Sequence, residues 1–294
     1  MQIAPRTYYA HINRAPSKRA LWDTTITEVL AGYYEPDENG TRKPECLYGV
    51  VKMWAHLNRQ GIQVAKSTVE RLMRANGWHG VQRAKKPRTT VSDPVDERPG
   101  DLVDRNFWVP APNRLLVADF TYVRMATGVF CYTAFCIDAF AGRIVGWHCS
   151  ARMNTPFVEA ALRQAATLRS RQNQPFDGSA IHHSDAGSQY LSVHYSEELF
   201  LAGLVPSVGS IADAYDNALA ETTIGLYKTG AVRDDSPFRN GPLSQLADLE
   251  KLTAAWVHWF NNERLMHRLG RRPPAEAEAE YYARIRDDQP VDHT

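Results

Sequence analysis

The order of apolar segments after residue 113 constrains the fold of this chain more than any other feature. Three strand-like runs come first, at 115–123, 129–138 and 143–150. The first two are joined as a hairpin through Ala126-Thr127-Gly128. A helix, a strand, a second helix and a short strand follow, at about 154–171, 179–184, 194–202 and 204–208. Three consecutive strands followed by alternating helices and strands predict an α/β domain with a mixed sheet.

Further helices are predicted in the last third of the chain. The segment Asp216-Asn217-Ala218-Leu219-Ala220-Glu221 is typical of the first turns of a helix. A longer helix at about 244–262 carries large apolar residues at helical spacing, which indicates packing: Leu246, Leu249, Leu252, Trp256 and Phe260. An Ala/Glu-rich segment at 275–282 predicts one short helix more.

The N-terminal third predicts a different unit, made of two helices joined by a tight turn within 46–90. The first helix runs from about Tyr48 to Arg59 and stops at Gly61; the second opens with Ser67-Thr68-Val69-Glu70, which we interpret as a capping box. This pattern predicts a helix-turn-helix in which Val69, Leu72 and Met73 are buried. The side chains expected to face outward or to stand at its start are Lys66, Ser67, Thr68, Arg71 and Arg74.

Charge supports a polyanionic partner for this unit. Residues 46–90 carry nine Lys/Arg and one acidic residue, Glu70, within a chain whose net charge is only +1. A basic block of this kind is also typical of an ordinary solvated surface, so charge alone leaves both interpretations open. From 91 to 113 the chain is rich in proline and aspartate and predicts a linker.

Composition excludes several other classes of protein. No apolar run approaches the roughly 20 residues that a membrane-spanning helix needs, and the first residues lack the pattern of a secretory signal. A cytoplasmic protein is therefore expected. The four cysteines, Cys46, Cys131, Cys136 and Cys149, form no Cys-x-x-Cys pair and predict neither zinc nor disulfides.

Three acidic residues stand where chemistry on a phosphodiester would need them. Asp119 is the one charge inside the first apolar run, Asp185 ends a short strand before Ala-Gly, and Glu221 lies in the first turns of a helix. A charge within a core strand is costly unless it is paired or binds a metal. Carboxylate oxygens are the ligands that Mg²⁺ prefers. Each acid also has a structural alternative: a strand-end carboxylate, a turn former and an exposed helical residue.

The spacing of these acids resembles a known family. Asp185 and Glu221 are separated by 35 residues, and Lys228 follows Glu221 by seven. With the segments His183-Ser184-Asp185-Ala186-Gly187-Ser188-Gln189-Tyr190 and Leu226-Tyr227-Lys228-Thr229, this pattern is similar to the OrfB transposase of the IS-three insertion-sequence family. The resemblance also extends to the Asp-Asp-35-Glu core of retroviral integrases.

The resemblance implies a ribonuclease H-like catalytic core. Asp119, Asp185 and Glu221 would hold two Mg²⁺ or Mn²⁺ ions, and Lys228 would hold the DNA end. Asn217 is expected either to contact DNA or to cap its helix, and His182 and His183 to support the site rather than to bind metal. Asp138, a fourth acid at a strand end, is explained by turn formation. The expected domains are a helical arm, a helix-turn-helix, a linker, the core and a tail, at 1–45, 46–90, 91–113, 114–275 and 276–294.

The function that the resemblance implies is metal-dependent cleavage at insertion-sequence ends, followed by transfer of the freed 3′-hydroxyl to another strand. The implied partners are terminal inverted repeats, target DNA, an OrfA protein that can be fused by frameshifting, and further copies of the chain. Two alternatives remain. One is an inert DNA-binding regulator, and the other is a ribonuclease H-like nuclease that cleaves without joining.

Overall fold

A computed structural model describes residues 6, 9, 14–82, 100–185, 187–209 and 217–287. Parts of the expected N-terminal arm, of the helix-turn-helix end and linker (83–99), and of the C-terminal tail (288–294) lie outside these residues. The chain divides into two compact units, Met1–Val81 and Gln82–Thr294. Within the described residues, no helix is long and apolar enough to cross a membrane.

In the first unit, residues 14–82 form the α-helices α1 (Lys18–Tyr34), α2 (Val50–Arg59) and α3 (Lys66–Ala75). The predicted burial of Val69, Leu72 and Met73 on α3 is confirmed. The predicted capping box is wrong, because α3 begins at Lys66 and its N-cap is Ala65, which has no side-chain hydrogen bond. Ser67 therefore lies inside the first turn, where its hydroxyl is too far along the helix to act as the N-cap.

A tyrosine in α1 ties this helix to the other two helices of the first unit. The Tyr34 hydroxyl donates to the backbone oxygen of Tyr48 at 2.7 Å, and its ring stacks on Trp78 with centroids 5.6 Å apart. Between α2 and α3, the Trp54 indole donates to the Val64 carbonyl at 2.9 Å. The hairpin of α2 and α3 is thus held by buried hydrogen bonds as well as by apolar contact.

The second unit is built on a five-stranded sheet of order β3-β2-β1-β4-β5. Its strands are β1 (Leu115–Arg124), β2 (Phe130–Asp138), β3 (Arg143–Ser150), β4 (Ala180–Ser184) and β5 (Leu204–Val208). β1 pairs antiparallel with β2 and parallel with β4, so the predicted mixed sheet is confirmed. Gly128, with φ of +87°, closes the predicted hairpin between β1 and β2.

Helices cover both faces of this sheet. They are α4 (Thr155–Arg171), α5 (Val193–Leu201), α6 (Ala218–Tyr227), α7 (Leu246–Asn262) and α8 (Pro274–Asp287). Ala134 and Cys136 of β2 face the α4 side, where they join a cluster with Phe157. Phe135, between them, faces the other way and meets Tyr227 of α6 and Trp256 of α7, with ring centroids 5.0 and 6.1 Å apart. The predicted packing role of the α7 stripe is confirmed for Leu249, Leu252, Trp256 and Phe260.

Buried charge joins α8 to the core. Arg169 of α4 is fully buried and donates to Asp138 at 2.8 Å and to Glu278 of α8. Arg143 donates to Glu278 at 2.7 Å. Asp138 also accepts the Asn113 and Phe140 amides, at 2.7 and 3.0 Å. The Asp138 carboxylate is thus engaged in structural hydrogen bonds. Helix α8 crosses the core boundary expected at residue 275.

Side chains and a neighbouring segment occupy the two edges of the sheet. At β3, the Asn261 side chain accepts from the Ile144 amide at 2.9 Å and donates to the Ile144 carbonyl at 2.8 Å. The Trp147 amide donates to Gln164 at 2.6 Å. At β5, the Val208 amide donates to the Gly100 carbonyl at 3.4 Å. Backbone groups that an edge strand would otherwise expose are therefore partly satisfied.

Candidate active site

Two of the three predicted acids lie on neighbouring parallel strands. β1 and β4 pair in a register that sets Ala118 against Ser184. Asp119 is the next residue of β1, and Asp185 directly follows the end of β4, so the two acids occupy adjoining backbone positions.

The third acid, Glu221, lies on a helix that is tied to β1. Glu221 lies in the first turn of α6, and its amide donates to the carbonyl of Asn217 at 3.0 Å. The Asn217 side chain donates to the backbone oxygen of Ala118 at 2.9 Å. One asparagine therefore connects the start of α6 to the residue that precedes Asp119.

Asn217 stands at the N-cap position of α6, but its side chain makes no capping hydrogen bond. It is buried, with 5% of its surface exposed. Its predicted contact with DNA stays a prediction. Its Oδ1 atom is also buried without a hydrogen-bond partner. The structure instead gives Asn217 the position of a tether between helix and strand.

Electrostatics show that the acids share one environment. The pKa of Asp119 is raised well above its usual value, first by burial and next by the charge of Asp185. The Phe120 amide, which donates to Asp119 at 2.7 Å, lowers this pKa; the charge of Glu221 raises it, and that of Lys228 lowers it. The pKa of Asp119 is thus affected by the charges of Asp185, Glu221 and Lys228. Their assignment as one catalytic set stays a prediction. Like charges held this close disfavour full ionisation.

Asp185 behaves in a similar way. The residue as a whole is exposed, yet the pKa of its carboxyl is raised, chiefly by desolvation. The Gly187 amide, which donates to Asp185 Oδ1 at 3.3 Å, and the charge of His183 lower it. Two carboxyl groups whose charged forms are disfavoured form a site that gains from a bound cation.

The donor set suits a hard divalent ion, since carboxylate oxygens are the ligands that Mg²⁺ selects. Among the described residues, however, no three His, Cys, Asp or Glu side chains are already grouped to hold one metal ion. Asp119 and Asp185 each direct one oxygen to a nearby backbone amide. The residues fit such an ion by chemistry, and side-chain rotation is needed to gather them around it.

The two histidines before Asp185 are structural. His182 and His183 are both buried; His182 Nε2 is 3.1 Å from the Tyr195 hydroxyl, and His183 Nδ1 is 2.9 Å from Ser207 Oγ. Burial lowers the pKa of His182 to about 3. Each ring therefore braces β4 against a neighbouring element, as the sequence predicted when it assigned them a supporting role.

Lys228 follows α6 directly, at the start of a π-helical turn, Lys228–Val232. Its Nζ atom lies 4.7 Å from the centroid of the Tyr122 ring on β1. Sequence reasoning missed Tyr122. The available signal was its position three residues after Asp119, on the strand face opposite to that of the acid.

The predicted DNA-contact residues of α3 fall into two groups. Lys66 and Ser67 are exposed at the start of the helix, and Thr68 is half-buried. Arg71 and Arg74 are exposed but already have partners: Arg71 donates to Asp23 of α1 at 2.6 Å, and Arg74 to Glu70 at 3.0 Å. Exposed pairs of this kind are weak and exchange readily for phosphate contacts.

Comparison with known families places these observations in context. The model of the integrase core domain matches residues 109–214, and that of an HTH-like domain matches residues 38–86. The first match covers Asp119 and Asp185 and ends before Glu221. The mixed sheet with its acids therefore belongs to the class of proteins with an integrase core, here preceded by a helical HTH-like domain.

Curated relatives define the particular family. A putative transposase for insertion sequence element IS986/IS6110 of Mycobacterium tuberculosis is 47% identical over 283 residues, covering 96% of this chain and 97% of the relative. A transposase for insertion sequence element IS629 of Shigella sonnei is 45% identical over 293 residues, covering 98% and 92%. The chain belongs to the transposases of insertion sequence elements.

Two solved retroviral structures have a similar backbone trace. A chain of the simian T-cell lymphotropic virus intasome, in complex with the PP2A regulatory subunit B56 gamma, matches with a TM-score of 0.47 and 16% identity, over 76% of this chain and 70% of that one. The HTLV-2 integrase catalytic core domain, in complex with magnesium, matches with a TM-score of 0.43 and 17% identity, over 57% and 98%.

Proposed function

We propose that this transposase cuts insertion-sequence ends and joins the freed 3′-hydroxyl to another DNA strand, with Asp119, Asp185 and Glu221 as an Asp-Asp-35-Glu triad. The observation that carries the proposal is the placement of Asp119 and Asp185 at adjoining positions of β1 and β4, with Glu221 in the first turn of a helix that Asn217 ties to β1. On this basis we assign the chain to the OrfB type of the IS-three family.

The proposed cofactor is a pair of Mg²⁺ or Mn²⁺ ions. When bound, such ions activate the attacking oxygen and stabilise the leaving oxygen of a phosphate displacement. Asp119 is the proposed shared ligand, Asp185 binds from the end of β4, and Glu221 binds from the first turn of α6. Asn217 keeps α6 in register with β1 through its bond to Ala118.

Lys228 is the proposed contact for the DNA end. Its charge lowers the pKa of Asp119, so the two groups are near enough to interact. An ammonium group binds a phosphate as a compact point charge and offsets the repulsion between DNA and carboxylates. It is therefore suited to hold a phosphate beside the acids.

In the first unit, α3 is the proposed reader of the terminal inverted repeats. Lys66, Ser67 and Thr68 stand at the helix start, where major-groove recognition helices contact base edges. Arg71 and Arg74 are the proposed phosphate contacts. The activity implies action at the bacterial nucleoid, with an OrfA partner and a multimer that pairs two element ends.

The test is strand cleavage and joining on duplexes that carry the element's own flanking repeats, with Mg²⁺, Mn²⁺ or chelator, and with and without OrfA. Glu221→Gln is expected to abolish both steps while leaving DNA retention intact. Glu197→Gln, an exposed glutamate on α5, is the matched control. Undiminished cleavage by Glu221→Gln removes Glu221 from the mechanism.

The same assay separates the alternatives. Repeat binding by the wild-type chain without cleavage under any metal condition would identify an inert regulator. Cleavage without joining would identify a nuclease. Cleavage that persists in chelator would contradict the role proposed for the acids as metal ligands.

A further inference from the structure

The Lys228 side chain ends over an aromatic ring that is itself largely exposed. Tyr122 has 59% of its surface exposed, and Lys228 Nζ stands 4.7 Å from its ring centroid. A cation within about 6 Å of an aromatic face is attracted by the ring quadrupole. The neighbouring ring of Phe130 meets Tyr122 edge to face, with centroids 5.4 Å apart and planes at 84°. This edge contact fixes the tilt of the face that Tyr122 presents.

The backbone on which Lys228 stands is held firmly. The preceding residue, Tyr227, is fully buried, and its hydroxyl lies 2.7 Å from Thr253 Oγ1 of α7. The Tyr227 ring packs against Phe135 and Trp256, with centroids 5.0 and 5.1 Å away. The helix end is thus bonded to a second helix and packed on the sheet.

The backbone does not by itself fix the position of the Lys228 side chain. A lysine carries its charge on a flexible four-carbon stem, and ordering such a side chain has a large entropic cost. A fixed Cα therefore does not define where the ammonium group stands. One contact at the end of this stem is the ring of Tyr122, whose position is set independently, by β1.

We propose that Tyr122 is a positioning residue for Lys228: its ring face holds the ammonium group in place for contact with the DNA end. This inference rests on the proposed role of Lys228 in end binding. Tyr122 lies three residues beyond Asp119 on β1. Strand β1, which carries Asp119, thus also sets the position of the Lys228 ammonium group. Asp119 and Tyr122 are roughly 10 Å apart along the strand.

A double-mutant cycle tests this in the full chain. The readout is the ratio of affinities for two repeat duplexes, one with and one without the terminal base pairs at the cleavage point, because this ratio isolates contacts made at the end itself. Tyr122→Leu removes the ring and is expected to lower the ratio about two- to five-fold, the range for an exposed cation–π contact. Tyr122→Phe keeps the ring and should retain the wild-type ratio.

The cycle is completed in the Lys228→Ala background. There Tyr122→Leu should have no further effect, because residues that act through each other are not additive. Phe200→Leu, which removes an exposed ring on α5, is the control and should leave the ratio unchanged in both backgrounds. The slope of affinity against salt should fall with Tyr122→Leu, as it does with Lys228→Ala, because a displaced ammonium releases fewer counterions.

The outcomes separate the two levels of the proposal. If Lys228→Ala leaves end affinity unchanged, the role proposed for Lys228 is wrong. If Lys228→Ala lowers it but Tyr122→Leu lowers it by the same factor in both backgrounds, the positioning role of Tyr122 is wrong. Failure of Tyr122→Phe to retain wild-type affinity would also overturn it, since the ring face is preserved.

Discussion

The tether between α6 and β1 makes a strong prediction about Asn217→Ala. The substitution removes a 2.9 Å hydrogen bond to the Ala118 carbonyl, in a place where the asparagine is only 5% exposed. Losing one partner of a buried hydrogen bond costs about 1–3 kcal/mol in unfolding free energy. That cost alone leaves a typical domain folded.

The expected effect on chemistry is larger than the effect on stability. Without the tether, the first turn of α6 is no longer held to the residue before Asp119, and Glu221 shifts relative to the other acids. A displacement of about 1 Å at a reacting centre can cost about 100-fold in rate. We therefore expect cleavage to fall by about 10- to 100-fold while affinity for the terminal repeats stays at the wild-type level.

The chain offers a matched control at Asn261. This asparagine is also buried, and its amide also donates to a strand carbonyl, that of Ile144, at 2.8 Å. Asn261→Ala, which removes two hydrogen bonds to Ile144, should cost at least as much free energy of unfolding. Single-turnover cleavage, scaled to the folded fraction from a urea titration, compares the two variants. Equal losses of scaled cleavage in both, or wild-type cleavage in Asn217→Ala, would refute the tether.

Three further predictions concern charge. The raised pKa of Asp119 means that the folded chain binds the carboxyl proton more tightly than the unfolded chain, so without divalent ions the free energy of unfolding falls as pH rises from the usual aspartate range through the raised pKa. Asp119→Asn should raise the thermal midpoint at neutral pH and remove this pH dependence. An unchanged midpoint would contradict the prediction. Arg169→Met strands the buried Asp138 and Glu278 carboxylates and should cost about 3–5 kcal/mol in a urea titration; a loss below 1 kcal/mol would show that the network relaxes. Arg71→Ala should change stability by less than about 1 kcal/mol but reduce the salt slope of repeat binding by about one, measured by fluorescence anisotropy; an unchanged slope would show that Arg71 makes no phosphate contact.

Local patterns predicted the elements well. The bounds of β1 to β5 and of α4 to α7 follow from apolar runs, glycine turns and a proline at a helix start, which are properties of neighbouring residues. The acids could be placed on strand, strand and helix for the same reason. Their mutual approach could be inferred only from the family resemblance, because it depends on strand order, which local periodicity does not encode.

The features that sequence reasoning missed depend on distant partners. Asn217 bonds to a carbonyl 99 residues away, and Arg169 pairs with Glu278 across 109 residues. Neither partner has a local signature. The capping box at Ser67 was wrong for the opposite reason: a suitable local motif was present, but α3 begins one residue earlier and leaves it unused.

The side chains that occupy the rim of the sheet have a consequence for assembly. At β3, Asn261 and Gln164 already take the outward hydrogen-bonding positions of Ile144 and Trp147. An incoming chain could add itself as a sixth strand there only by breaking three bonds and rotating two side chains. Copies of the chain are therefore not expected to join through this edge, which guards against open-ended growth into fibres.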